Sequence, residues 1–305
     1  MTNPDRLSGI SAFVHAAEVG NFSAAAERMH LSRSAVAKSV ARLEERIGTR
    51  LFHRTTRSLS LTEDGKLFYR HCLRVLAELD LAEESLAEGH GEVSGRVRIT
   101  MPGQLGRHCI APKLFALAQR HPRLQLNLSF TDNRVDLIEE GYDLAIRSGA
   151  LPDSHDYQMR SLGMQRMVLC AARSYLDHSG SPTGLTDLAN VDAIIYGRGQ
   201  TFARWRFERQ GGDESVIEVQ ARICMDDLAS MLDAVRAGLG IARLPVWLVH
   251  AELAAGTIVQ ILAEEQAVSY PLHLLWPASR QYSHRLRIVI DELATSLPAL
   301  LNGGS

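Results

Sequence analysis

The chain has 305 residues, a formal net charge of −2, 46% hydrophobic residues and 22% charged residues. Its length calls for two or three compact units, its composition is that of a folded protein with ample core, and no apolar run reaches the roughly eighteen residues of a membrane span. The opening MTNPDRLSG lacks the basic-then-apolar order of a secretory leader, and Cys72, Cys109, Cys170 and Cys224 form no CxxC pair, so a reduced, cytoplasmic protein with no structural metal is expected.

Residues 1–61 read as short helices followed by a hairpin. RLSGISAFVHAAEVG sets Leu7, Ile10, Phe13, Val14 and Ala17 on one helical face and stops at Gly20. Asn21 and Ser23 offer caps for a brief alanine-rich helix, and after a tight HLS connection Ser32 or Ser34 can cap the next. In that third helix Val36, Val40, Leu43 and Ile47 recur at helical spacing and are expected to face inward, leaving Arg33, Ser34, Ala37, Lys38 and Arg42 outward, with Gly48 as the stop. LFHRTTRSLSLTEDG alternates through a basic tip carrying Arg54 and Arg57, as a small β-wing does.

Residues 30–57 hold seven cations (Arg33, Lys38, Arg42, Arg46, Arg50, Arg54 and Arg57) and only two acids, Glu44 and Glu45. A charge run by itself suits a solvated helix face. Together with a short second helix, a capped third helix and a basic hairpin it predicts a winged helix-turn-helix. The third helix of that motif fits a major groove.

Residues 62–90 change rhythm. Phe68, Cys72, Val75, Leu79, Ala82 and Leu86 follow alternating spacings of four and three, the seam of a coiled coil. Such a stripe can pack on its own domain or against a second copy, and a long linker helix between domains favours the second. EGHGEVSG closes the segment.

From residue 91 to 305 strands and helices alternate: GRVRIT, QLGRHCIAPKLFALAQRH, LQLNLSF, RVDLIEEG and DLAIRSG, then RMVLCAA, VDAIIYG, SVIEVQARI, DDLASMLDAVRAG and IARLP, and finally YPLHLLWP and SHRLRIVIDELATSL. This order predicts an α/β effector domain with parallel sheets in two lobes, one of about 91–163 with 268–305 and one of about 164–267. A ligand would sit in the cleft at the strand ends.

The chain resembles LysR-type transcriptional regulators in FVHAAEVGNFSAAAERMHLSRSAVAKSVARLEERIGTRLFHRTTRSLSLTEDG, GRVRIT, HPRLQLNLSFTDNRVDLIEEGYDLAIRSG and AVRAGLGIARLP. The resemblance implies a winged head, a dimerising linker helix and a two-lobed α/β effector domain like a periplasmic binding protein. It implies a homodimer, assembling into a homotetramer, that binds a double-stranded DNA operator, with RNA polymerase as a further partner and no cofactor. Base-edge contacts would come from Arg33, Ser34, Ala37 and Lys38, with Arg54 and Arg57 on the wing. Many members have Gln in place of Arg33 and Ser in place of Ala37, and arginine favours guanine where glutamine favours adenine.

The same resemblance places a small-molecule effector at the turn TMPGQLG, with Thr100, Met101 and Gln104 on one rim and Thr201 and Phe202, at a helix start, on the other. Arg147, Ser148 and Asp226 would border the cleft. Thr100 can instead cap a helix, and Arg147 can pair with an acid. A threonine hydroxyl beside a helix start suits a carboxylate, which points to an organic acid.

An enzyme and a transport-type solute receptor are the rival classes. The first lacks GxSxG, HExxH, a P-loop or a complete GxGxxG, and the second leaves the basic head unexplained. For the four cysteines, buried thiols are the ordinary reading, with a redox role for Cys170 or Cys224 as the alternative.

Overall fold

The computed structural model describes residues 7–54, 59–87, 93–150, 155–197, 199–208, 214–278 and 283–301. The chain divides into two compact units, Met1–Gly91 with Val135–Gly141, and Glu92–Arg134 with Tyr142–Ser305.

The first unit begins with α1 (Ile10–Val19), α2 (Phe22–Arg28) and α3 (Arg33–Ile47). Asn21 caps α2, its side chain accepting from the Ala24 amide at 2.7 Å, and Ser32 caps α3 through the Ala35 amide at 3.2 Å. The turn between them contains His30 with φ 54, and Gly48 (φ 77) ends α3 in the left-handed conformation that favours glycine. Val36, Val40 and Leu43 pack into a core with Phe13, Val14 and Phe52. Burying Phe13 alone contributes about 1.5–3 kcal/mol. Ile47, expected inside, is exposed, because the last turn of α3 runs past this core.

Strands β1 (Phe52–Arg54) and β2 (Leu59–Leu61) pair antiparallel, Phe52 opposite Leu61. The start of the wing is tied to α3, since Glu44 Oε1 accepts from the amides of Leu51 at 2.8 Å and Phe52 at 3.2 Å. The wing tip carrying Arg57 lies outside the described residues, as does the side chain of Arg54.

Helix α4 (Glu63–Ala87) starts with the Thr62 hydroxyl accepting from the Gly65 amide at 2.9 Å. Its expected seam is divided. Cys72 is buried in the head's own core and the Phe68 ring lies 5.5 Å from that of Phe13, so these two serve intramolecular packing rather than a seam. Val75 and Leu79 are 39% and 41% exposed. The reason is rotational: the head's core reaches Leu73 and Leu76, one step around the helix, and takes the near edge of the stripe with them. The side chains of Ala82 and Leu86 lie outside the described residues.

The second unit opens with β3 (Gly95–Met101), α5 (Gly103–Leu105), a π-helical turn (Gly106–Ile110), α6 (Ala111–Arg120) and β4 (Leu124–Phe130). Next in the chain come α7 (Leu137–Glu140), which groups with the first unit, then β5 (Leu144–Ser148) and β6 (Tyr157–Gln165). The distal lobe follows with β7 (Met167–Ala172), α8 (Arg173–Ser179), a 3-10 turn (Leu185–Asn190), β8 (Ala193–Tyr196), β9 (Phe202–Glu208), β10 (Glu214–Met225), α9 (Leu228–Arg236), β11 (Ile241–Pro245), α10 (Val246–Ala255), β12 (Ile258–Gln260) and β13 (Gln266–Ala267). The chain then returns through β14 (Tyr270–Pro277) and α11 (His284–Leu301).

One sheet has the order β4-β3-β5-β14-β6 and the other β12-β7-β11-β8-β10-β9-β13. Neither is fully parallel, contrary to expectation. β3 runs parallel to β4 and β5, but β14 is antiparallel to both β5 and β6. The two crossings between lobes explain this. β6 leaves and β14 returns through the same junction, so they pair in opposite directions, with Tyr270 opposite Gln165. The first lobe therefore extends to Gln165, two residues past the expected 163.

Candidate functional site

Two surfaces gather the residues singled out from the sequence. The first is the outer face of α3. Its buried stripe fixes the helix rotation, and Arg33, Ser34, Lys38 and Arg42 emerge exposed while Ala37 is half-buried. Ser34 Oγ lies 3.0 Å from Ser32 Oγ, beside the cap. Lys38, Arg42 and Arg46 follow at four-residue intervals and line a depression of about 540 Å³ with Ser8, Ala35 and Ser39. Arg46 Nη2 donates to the Ser8 carbonyl at 3.2 Å, which anchors the start of α1 to the end of α3. A helix presenting three cations along one line can follow a polyanion, although the exposed Glu45 lies beside that line.

The second surface is a cleft of about 880 Å³ between the two lobes. It takes in Gln104, Arg147, Ser148 and Phe202 from the expected set. Thr100 does not line it: this side chain is fully buried, and its hydroxyl accepts from Arg147 Nη2 at 2.9 Å. Met101 is likewise fully buried, inside the first lobe's core. Both residues lie within β3, whose ladder to β4 and β5 holds them below the rim. Thr201 and Asp226 are exposed and are absent from the lining. Phe202 belongs to β9, a strand paired antiparallel to β10, and not to a helix start.

Gln104 reaches across the cleft instead. Its Nε2 donates to Asp227 Oδ1 at 2.8 Å, and Asp227 Oδ2 in turn accepts from the Ser230 amide and hydroxyl, both at 2.7 Å, to cap α9. The Ser230 bonds, with Gln104 adding a smaller part, hold the Asp227 carboxyl below the ordinary aspartate range, so it remains a strong acceptor at neutral pH. At the junction itself the Trp247 indole donates to Gln165 Oε1 at 3.2 Å.

Arg243, Tyr270, Gln165 and Trp247 all line the cleft, and none was singled out from the sequence. Arg243 lies in GLGIARLP at the middle of β11, whose carboxyl end is the side at which α/β sheets hold ligands, so the strand carried a signal although the residue itself did not. Gly240 sets that strand's place: a Cβ there would fall 2.1 Å from the Asp192 carbonyl oxygen, so only glycine lets β11 lie this close to the start of β8. Arg243 donates to the Tyr270 hydroxyl, and its guanidinium carbon sits 5.3 Å from the Tyr270 ring centroid.

The four thiols are unpaired. Burial pushes Cys72 and Cys170 up to about 12 and Cys109 up to about 11, which keeps these three protonated and poorly nucleophilic at neutral pH. Among the described residues no helix is long and apolar enough to cross a membrane.

Comparison with known proteins finds matches for both parts of the chain. Residues 7–66 match the bacterial regulatory helix-turn-helix family of LysR type, and residues 90–298 match the LysR substrate binding domain. A probable HTH-type transcriptional regulator, LtrA of Klebsiella pneumoniae, is 35% identical over 99% of this chain and 98% of its own. The HTH-type transcriptional regulator CrgA of Neisseria meningitidis is 31% identical over 97% of each chain. A solved structure of CrgA superimposes with a TM-score of 0.61 at 28% identity, covering 97% of this chain and 99% of that one. The full-length Vibrio cholerae virulence activator AphB shares the fold, with a TM-score of 0.60 at 23% identity over 95% of this chain and 98% of its own. A helix-turn-helix head joined to an α/β substrate-binding unit, matched by relatives along nearly the whole length, makes this chain a member of the LysR family of transcriptional regulators.

Proposed function

We propose that this regulator reads its operator through Arg33, Ser34, Ala37, Lys38 and Arg42 of α3, with Arg54 and Arg57 of the wing on the DNA backbone. The observation that carries this reading is the rotation of α3. Val36, Val40 and Leu43 are buried on one side, which turns the cations of the other side to solvent. It works in the cytoplasm, where its DNA lies, as a homodimer paired through the exposed part of α4 and assembled further into a homotetramer. It controls RNA polymerase rather than catalysing a reaction.

A small organic acid in the inter-lobe cleft is the controlling ligand in this reading. Coupling between such a ligand and the heads is typically worth about 1–3 kcal/mol, enough to change how spaced half-sites are engaged without abolishing binding. The test is an anisotropy titration against the DNA flanking the gene, run at several salt concentrations. We expect sequence-selective binding whose affinity falls steeply with salt. Equal affinity for the flanking DNA and for a scrambled duplex would defeat the proposal.

A further inference from the structure

We infer that Gln104 and Asp227 form a latch that joins the two lobes across the cleft by protein groups alone, and that its release is the step that opens the cleft. The inference goes beyond the proposed function, because it is independent of what the cleft admits.

The place of this bond sets it apart from the other bonds between the lobes. Opening would swing one lobe from the other about the two strands that cross between them, β6 and β14. Trp247 Nε1 donates to Gln165 Oε1 at 3.2 Å, and Arg243 donates to the Tyr270 hydroxyl. Gln165 is the last residue of β6 and Tyr270 the first of β14, so both bonds sit beside the axis, where rotation changes lengths little. Gln104 and Asp227 are on neither strand. Gln104 follows β3 in α5 and Asp227 caps α9, and the 2.8 Å bond between them must break before the lobes can part.

Both partners are held in place by their own lobes. The two oxygens of Asp227 divide the work: Oδ2 accepts the Ser230 amide and hydroxyl, while Oδ1 accepts Gln104 Nε2. Release therefore frees Oδ1 alone and leaves α9 capped, so the lobe keeps its fold and the latch can close again. On the other side, Gln104 stands two residues before Gly106, where the π-helical turn begins. A Cβ at Gly106 would fall 2.6 Å from Met101 Cγ and 2.9 Å from Phe130 Cδ1, so glycine lets this turn press onto β3 and β4. The amide of Gln104 is thus presented from a fixed backbone.

The strength of the bond suits a reversible closure. Asp227 stays ionised at neutral pH, and a hydrogen bond to a charged group favours the bonded form by about tenfold to a hundredfold. Against an otherwise level equilibrium, roughly 1–10% of molecules would be open at any moment. The cleft is then closed at rest, yet accessible on the timescale of lobe motion.

The experiment is hydroxyl-radical footprinting of the full-length protein, read by mass spectrometry. Met231 and Trp205 line the cleft and are 1% and 3% exposed, so they report opening. Met159, exposed on β6 and outside the lining, is the reference, and Met101, fully buried in the first lobe's core, reports unfolding. Gln104→Glu sets two carboxylates against each other, and should raise labelling of Met231 and Trp205 by about threefold to tenfold while Met101 stays silent. Asp227→Asn still caps α9 and turns an amide toward residue 104, so by itself it should label like wild type. Combined with Gln104→Glu it restores the bond with donor and acceptor exchanged, and labelling should return to the wild-type level. That rescue matters because Asp132 Oδ2 would lie 3.3 Å from a Cβ at Gly103 and could repel a new carboxylate by itself. Gln104→Glu labelling like wild type, or the combined variant labelling like Gln104→Glu, overturns the inference. Should Met101 become labelled in Gln104→Glu, Gln104→Ala is the second variant, and a smaller rise at Met231 and Trp205 with Met101 silent is expected. No rise there, or a rise only together with Met101, overturns it equally.

Discussion

The head and the two-lobed unit differ in how they build a surface. The candidate DNA face is drawn from one continuous stretch, residues 30–57, with α3 supplying most of it. The cleft collects Gln104, Arg147, Gln165, Phe202, Arg243 and Tyr270 from six separate segments. A face made by one helix inherits its geometry from helical periodicity. A cleft made by strand ends inherits its geometry from sheet order, which is set by distant pairings.

That contrast predicts separable failures. The largest expected effect is Phe13→Ala, which empties the centre of the head's core and should cost about 3–5 kcal/mol there. In calorimetry the head's transition should move down or vanish while that of the two-lobed unit stays. A single merged transition in both proteins would show that the units do not unfold separately.

Leu79→Asp comes next. Since Leu79 is exposed on α4, the change should leave the head folded but place a charge where a partner helix would cover it, a cost of several kcal/mol to pairing. Sedimentation should show loss of the dimer, and an unchanged oligomer would remove α4 from the interface.

Thr100→Val sharpens the account of the first lobe. The buried hydroxyl holds Arg147, so its loss should destabilise that lobe by about 1–3 kcal/mol in urea unfolding and act on ligand binding only through Arg147. A lost ligand response at unchanged stability would return Thr100 to the ligand's own contacts.

Arg33→Ala should cost about 1–3 kcal/mol against the preferred operator and relax discrimination at one base pair. Lys38→Ala, if that residue meets phosphate, should instead weaken all sequences alike and flatten the salt slope by about one unit. Identical behaviour of the two variants would erase the division between reading and anchoring along α3.

The smallest effect is expected at the α9 cap. Asp227→Ala should cost about 1 kcal/mol, and Asp227→Asn, which still caps, less. The Asp227 carboxyl titrates lower in the folded protein than unfolded, so its contribution is complete above the unfolded carboxyl range and fades as pH falls through the folded value. The stability difference between wild type and Asp227→Asn should therefore shrink as pH falls, the variant showing the shallower pH dependence below about pH 4. Parallel acid profiles for the two proteins would remove this carboxylate from the balance.

How much was legible follows the same division. Val36, Val40 and Leu43 declared the rotation of α3 by their spacing, and the caps at Asn21 and Ser32 were readable from side-chain chemistry alone. The seam of α4 was legible only as a stripe. Whether Cys72 met a partner or the head depended on the depth of a core to which α1 and β1 also contribute.

For the cleft, the strands were legible as hydrophobic runs, but sheet order was not. Nothing local to LAIRS or IARLP says that Arg147 turns back to Thr100 while Arg243 turns to Tyr270. By itself the sequence determined the helical head, the long α4 and the α/β alternation, because these follow from periodicity and caps within a few residues of chain. Only the tertiary structure decided that Arg147 bonds Thr100 and that Arg243 bonds Tyr270. That depends on β11 lying beside β8 at Gly240 and on β6 and β14 crossing one junction in opposite directions, and pairings between residues this far apart leave no periodic trace in either segment.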